Sequence, residues 1–200
     1  MNYTEASNLP SSEKISLVTC DANRRAKLFT LYSGTTYFAD YDQFCIGVKN
    51  GSTIFDTGAD KDTLASDEFF YDVSAKRLYI NSGGNPAEDD IIITHRLFFS
   101  TTPLILPYDL STGSEIEWQP IISQIASIGQ ELDEENTGIV LESQSNVTFL
   151  NNHGFFDSIF DSLIFENQPI VFYSWFGGLP KSQIKKIFQG VIESKSFTAS

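Results

Sequence analysis

Cysteine, histidine and tryptophan are scarce in this 200-residue chain, with two of each. Cys20 and Cys45 offer neither a disulfide framework nor a metal-ligand spacing, so reduced, buried thiols are expected. His95 and His153 have no Cys, His or Glu at ligand spacing, and no Gly-x-Ser-x-Gly elbow is present to build a nucleophile around. The glycine-rich phosphate loops Gly-x-Gly-x-x-Gly and Gly-x-x-x-x-Gly-Lys are missing as well, so no cofactor is expected. No apolar run reaches membrane length, and the start Met-Asn-Tyr-Thr-Glu-Ala-Ser lacks the basic and apolar regions of a signal peptide. Synthesis in a cytoplasm, without a membrane partner, is the expectation.

Positive charge is the other shortage. Lys and Arg total 13 against 26 Asp and Glu, a formal charge of −13 that opposes binding to nucleic acid or anionic lipid. Between Arg96 and Lys181 there is no lysine or arginine, while Asp109, Glu115, Glu117, Glu131, Asp133, Glu134, Glu135, Glu142, Asp157, Asp161 and Glu166 fall there. Such a stretch makes a solvated acidic face, or a surface that lets DNA pass without adhering or meets a basic partner. Lys181, Lys185, Lys186 and Lys195 cluster afterwards, where a homo-oligomer would set them on a neighbour's acidic stretch.

What the chain has is apolar and aromatic: 41% hydrophobic, 14% aromatic. That composition belongs to a folded core, and the length allows one large or two small domains. Ile15–Thr19 and Lys27–Leu31 read as short strands around a polar Asp-Ala-Asn-Arg-Arg turn. Phe44–Val48 and Thr53–Phe55 flank Asn50-Gly51, a strong hairpin signal. Phe69–Val73 and Arg77–Asn81 make a second hairpin, and Ile91–Phe99 a long strand. Pro103 and Pro107 enforce an extended segment whose Leu104, Ile105 and Leu106 are expected to cross a core. The isoleucines at 121, 122, 125 and 128 are read as extended, and Glu131–Gly138 as a charged loop.

The stretch from Gly138 to Phe197 is the most informative. Val147–Leu150 alternates as a half-buried strand does, Asn151-Asn152-His153-Gly154 is a turn, and Pro169–Trp175 is another strand. Phe155, Phe156, Ile159, Phe160 and Leu163, spaced by three and four, suit about two turns of amphipathic helix. The matching positions Leu141-Glu142, Leu150-Asn151, Gly154, Phe156-Asp157, Gln168–Tyr173 and Phe188-Gly190-Ile192-Glu193 resemble a module of tail-tip proteins of tailed bacteriophages, distal-tail and baseplate-hub components. Weaker likeness reaches back to Tyr71-Asp72 and Arg77-Leu78-Tyr79. The resemblance implies a β-rich, non-enzymatic subunit of a virion tail that forms a ring or hub, trimeric or hexameric, with copies of itself and other tail proteins, lining a DNA passage without binding nucleic acid specifically.

Asp56-Thr57-Gly58 after Ile54-Phe55 is the rival signal, since it resembles the active-site motif of retroviral-type aspartic proteases, in which Asp56 would share a proton with its twin in a homodimer. The second apolar-apolar-Gly motif of that family is missing, Ser114–Gln119 reading Ser-Glu-Ile-Glu-Trp-Gln. Asp56, Asp60, Asp62, Asp67 and Glu68 also make a carboxylate-rich loop of the kind that takes calcium, but without the EF-hand order, so a solvated loop is expected. A carbohydrate-binding β-sandwich is a third reading.

The resulting expectation is a mainly β fold, of sandwich- or barrel-like modules with one or two short helices. An arm at 1–12 precedes β-rich domains at 13–110 and 111–200. Trp118, Phe155, Phe156, Trp175, Phe176, Lys185 and Lys186 are the candidate interface residues.

Overall fold

The strand that starts at Lys14 runs through to Arg25, across the polar stretch expected to turn. The reason is cross-strand partnership: Asp21 accepts two hydrogen bonds from Arg96, and Asn23 accepts one from the Thr94 hydroxyl. Polar side chains that favour turns stay in a strand when the neighbouring strand satisfies them.

The computed structural model describes residues 13–26, 28–86, 91–126, 129–132, 140–151, 154–157, 159 and 161–196, and they are mainly β. In chain order the strands are β1 Lys14–Arg25, β2 Thr30–Ser33, β3 Thr36–Asp40, β4 Phe44–Asn50, β5 Thr53–Ile54, β6 Asp56–Thr57, β7 Glu68–Asp72, β8 Arg77–Asn81 and β9 Ile91–Ser100. There follow β10 Leu104–Pro107, β11 Glu115–Trp118, β12 Ile122–Ile125, β13 Gly129–Leu132, β14 Val140–Gln144, β15 Val147–Phe149, β16 Pro169–Phe176 and β17 Lys185–Val191. Six strands pair in the order β17-β16-β1-β9-β4-β5 and five in the order β2-β3-β8-β7-β6; β10-β11, β12-β15 and β13-β14 are two-stranded.

The chain forms two compact units, each gathered from three segments. One comprises Met1–Val18, Phe98–Ser158 and Val171–Gly190; the other comprises Thr19–Leu97, Ile159–Ile170 and Val191–Ser200. This partition crosses the linear division at residue 110, because β1, β9, β16 and β17 each contribute to both units. The expected arm lies outside the described residues.

In the unit built around Thr19–Leu97, side chains of β4 and β9 (Cys45, Val48, Ile91, Ile93) meet those of β3, β7 and β8 (Ala39, Phe69, Leu78, Ile80) in one buried cluster. This is face-to-face sheet packing. Both expected hairpins are present. β4 and β5 close at Asn50↔Thr53, so Gly51 and Ser52 form the loop, with Gly51 at φ 57°. β7 and β8 pair from Glu68↔Asn81 to Asp72↔Arg77, and the Asp72 carboxylate accepts the N–H groups of Ser74 and Ala75 in the turn.

In the other unit, Phe99 is the centre of an aromatic cluster, its ring 4.5 Å from Phe149, 5.9 Å from Phe155 and 5.8 Å from Phe156. Phe99 is wholly buried, which contributes about 1.5–3 kcal/mol, and the half-buried rings around it contribute less each. Trp118 packs edge-on against Phe98 at 5.2 Å and is wholly buried. The segment at Pro103–Pro107 is a strand as expected, but alternation sends Ile105 outward, 64% exposed, while Leu106 is buried. The isoleucine run is extended at Ile122–Ile125, which form β12, while Ile128 lies outside the described residues. Of the charged stretch Glu131–Gly138, Glu131 and Leu132 belong to β13 and the remainder lies outside the described residues.

The amphipathic helix expected from Phe155 to Leu163 is absent from the described residues, which form turns. Asp157 N–H bonds to Gly154 O, and the Ser162 and Leu163 N–H groups both bond to Ile159 O. The division between units falls at Ser158/Ile159, so the apolar residues of this run serve two cores. A helical stripe needs one continuous surface to cover.

Candidate functional site

The residues that carry the C-terminal motif bond largely to one another. Asn151 donates from Nδ2 to Asp157 Oδ1 at 2.6 Å and accepts the Phe156 N–H on Oδ1 at 2.8 Å. Gly154 takes φ 69°, a conformation that costs glycine nothing. Leu-Asn-x-x-Gly-x-Phe-Asp therefore encodes a loop that closes on itself, with Asn152 and His153 outside the described residues. The Asn167 N–H bonds to Ile192 O and the Ile192 N–H to Gln168 O, tying Glu-Asn-Gln-Pro to the end of Phe-x-Gly-x-Ile-Glu. The rings of Phe172 and Phe188 lie 5.1 Å apart, and a Cβ at position 190 would stand 3.0 Å from the Phe188 ring. Glycine there clears the space that ring occupies. Backbone closure and ring packing are what these side chains do.

Asp56-Thr57-Gly58 is structural in a similar sense. Asp56 and Thr57 form β6, parallel to β7 with Asp56↔Glu68 and Thr57↔Phe69, and the Gly58 N–H bonds to Phe69 O at 2.8 Å. Both Asp56 and Thr57 are exposed, and Phe55 is the buried residue of the run. Carboxylates of the following loop serve its own backbone: Asp60 accepts the Asp62 N–H and Glu68 the Ala65 N–H, each at 2.8 Å. Asp62 accepts the Tyr32 hydroxyl at 2.6 Å and pairs with Lys61 at 3.3 Å, and the Tyr32 bond holds its carboxyl below the ordinary range. Among the described residues no group of three or more His, Cys, Asp or Glu side chains is placed to hold a metal ion.

Asp109 and Glu115 of the lysine-free stretch are likewise engaged within the chain. Asp109 Oδ1 accepts the N–H groups of Ser111, Thr112 and Gly113 at 2.8–3.0 Å, which holds its carboxyl down at about 2. Glu115 pairs with Lys181, the first lysine after the stretch, at 3.2 Å.

The candidate interface residues divide by exposure. Trp118 and Phe176 are buried within the chain, and Trp175 packs against Phe176 and Leu179. Phe155 and Phe156 are half-buried beside Phe99. Lys185 and Lys186 are exposed on β17, the latter bonded to Gln189 at 2.8 Å. Sequence reading ranked aromatic residues as anchors and passed over aliphatic ones. The large apolar side chains that stand exposed are instead mostly aliphatic: Leu31 on β2, Ile54 on β5, and Ile187 and Val191 on β17, with Tyr32 beside Leu31. These five, of ten among the described residues, sit on outermost strands of the two large sheets. The signal for them is an apolar residue at the outward position of a strand that ends a sheet, which only the strand order reveals.

One pairing has no trace in sequence spacing. Cys45 and His95 are opposite each other across β4 and β9, with Sγ 3.5 Å from Nδ1, and Nδ1 also 3.3 Å from Gln43 O. Both residues are buried, and burial pushes the Cys45 thiol far up, countered in part by Arg24. A nucleophilic cysteine needs the opposite shift and an approach for substrate, so this pair is a polar element of the core.

No helix of the described residues is long and apolar enough to cross a membrane. The chain matches no protein-family model, no curated protein and no solved structure in comparisons with known proteins.

Proposed function

We propose that this chain is a structural subunit of the tail tip of a phage or phage-like particle. It associates with copies of itself in a ring or hub of three- or sixfold symmetry and joins the tail tube to baseplate or fibre proteins. The observation that carries the assembly part of this reading is the placement of exposed apolar side chains on outermost strands, at Leu31, Tyr32, Ile54, Ile187 and Val191. A sheet edge presents unpaired N–H and C=O groups, and apolar side chains beside them favour a second chain over water. The tail-tip part rests on the motif resemblance, and the structural use of Asn151, Asp157, Gly190 and Phe188 agrees with a scaffold. The acidic stretch between Arg96 and Lys181 would give a passage for DNA a non-adhesive wall.

Electron microscopy of the purified chain, alone and mixed with the tail proteins of its particle, tests the proposal. Rings or hubs of defined symmetry are the expected result. A chain that stays monomeric at high concentration and joins no tail protein overturns it.

A further inference from the structure

We infer that Asn50 is a site of spontaneous covalent modification: in the folded chain its side chain closes onto the Gly51 nitrogen, loses ammonia and ends as aspartate or isoaspartate. The inference is independent of the assembly proposed above.

This chemistry asks three things of an asparagine. The next residue must not crowd the attack, its backbone nitrogen must be able to give up its proton, and the side-chain amide must be able to swing onto it. Asn-Gly occurs once in the chain, at Asn50-Gly51. Glycine has no Cβ to stand in the way, and even an added Cβ at Gly51 would meet nothing within 4 Å. Gly51 is exposed at the tip of the β4-β5 hairpin with φ 57°, and Asn50 is half-buried. Neither the Gly51 N–H nor the Asn50 side chain has a hydrogen-bond partner among the described residues.

Other asparagines are tethered. Asn81, which precedes the small Ser82, is buried; it donates from Nδ2 to Leu64 O at 2.9 Å and accepts the Gly83 N–H at 3.1 Å. Asn151 is bonded through both Nδ2 and Oδ1, and Asn23 accepts the Thr94 hydroxyl. A tethered amide reaches the next nitrogen only after those bonds break.

Backbone pairing is the restraint on Asn50, which lies opposite Ile91 on one side and Thr53 on the other. The Thr53 side is weak. β5 is two residues long, both exposed, and it ends its sheet, so it opens more readily than a core strand. In the opened hairpin the Gly51 nitrogen sheds its proton and bonds to Asn50 Cγ as the Cγ–Nδ2 bond breaks, and the proton leaves with ammonia. Water then opens the cyclic imide at either carbonyl. Opening at Cγ gives aspartate, and opening at the original backbone carbonyl gives isoaspartate, whose main chain is longer by a carbon. Either product adds a negative charge to the hairpin, and isoaspartate also disturbs the Asn50↔Thr53 pairing that sets the loop.

Peptide mapping by mass spectrometry of the whole chain, held folded at mildly alkaline pH and sampled over weeks, tests this, with an enzymatic isoaspartate assay on the same samples. Conversion at Asn50 is expected to run at least about tenfold faster than at Asn81, Asn151 or Asn23, which takes only a modest difference in barrier. Asn50→Gln should lower the total isoaspartate by the amount mapped to position 50, because closure onto glutamine makes a larger, slower-forming ring. The same chain in urea is the control for the chemistry. An Asn50 that converts in urea and not in the folded chain overturns the inference, as does folded-state conversion no faster than at the tethered asparagines.

Discussion

Arg96 grips Asp21 with two hydrogen bonds, Nε to Oδ1 at 2.7 Å and Nη2 to Oδ2 at 2.9 Å, although 75 positions separate them in the chain. The Asp21 side chain is 7% exposed and that of Arg96 36%. Removing the arginine leaves a buried carboxylate without its charge partner, whereas removing both leaves none. Arg96→Ala is expected to cost about 3 kcal/mol, the lower end for a broken buried pair because the guanidinium reaches solvent. The double variant with Asp21→Ala should cost less than the sum of the two single changes. Urea denaturation of the four proteins measures the coupling.

Trp118 separates core from interface. Its indole Nε1 is buried with no hydrogen-bond partner among the described residues. Trp118→Ala should cost about 3–5 kcal/mol of stability through the cavity it leaves. Trp118→Phe should cost only about 1 kcal/mol, since deleting the unmet donor offsets part of the lost contact. Thermal unfolding of the two variants checks the difference, and neither change should alter association selectively.

Asp109 gives a pH signature. Its carboxyl titrates at about 2, below the ordinary aspartate range, through the backbone hydrogen bonds of Gly113 and Ser111 first. A carboxylate depressed on folding contributes stability that is complete above its unfolded value and is lost as pH falls through the folded one. The stability difference between wild type and Asp109→Ala should therefore be constant above about pH 5 and shrink between about pH 4 and pH 2. Carbon-13 NMR of the carboxyl group should place its midpoint near 2.

Asp56 separates the scaffold from the protease. Asp56→Asn keeps the backbone bond from its N–H to Asp67 O, so the fold and any assembly should be unchanged. A peptide-cleavage assay at acidic pH should read the same for both proteins. Cleavage by the wild type that the variant lacks would establish an aspartic protease instead.

Local pattern carried far through this molecule. Alternation and turn chemistry located the hairpins at Asn50-Gly51 and Ser74–Lys76 and the strands at Ile91–Phe99 and Pro169–Trp175, because a strand and its turn are written within a dozen adjacent residues. They erred at Asp21–Arg25 and at Phe155–Leu163. In the first, cross-strand partners outvote turn preference; in the second, one apolar run is divided between two units. The placement of anchors was the least legible, since Trp118 and Leu31 differ in exposure by which way their strands face.

The amino-acid order by itself determined the β class, the uncharged character of Thr30–Ser33 and the long lysine-free acidic stretch. Only the tertiary structure decided that Cys45 meets His95, that Arg96 neutralises Asp21 and that β2 ends a sheet. Side-chain alternation is a property of neighbours along the backbone, whereas strand order and register are chosen by the burial of distant residues together, and no short window of sequence contains that choice.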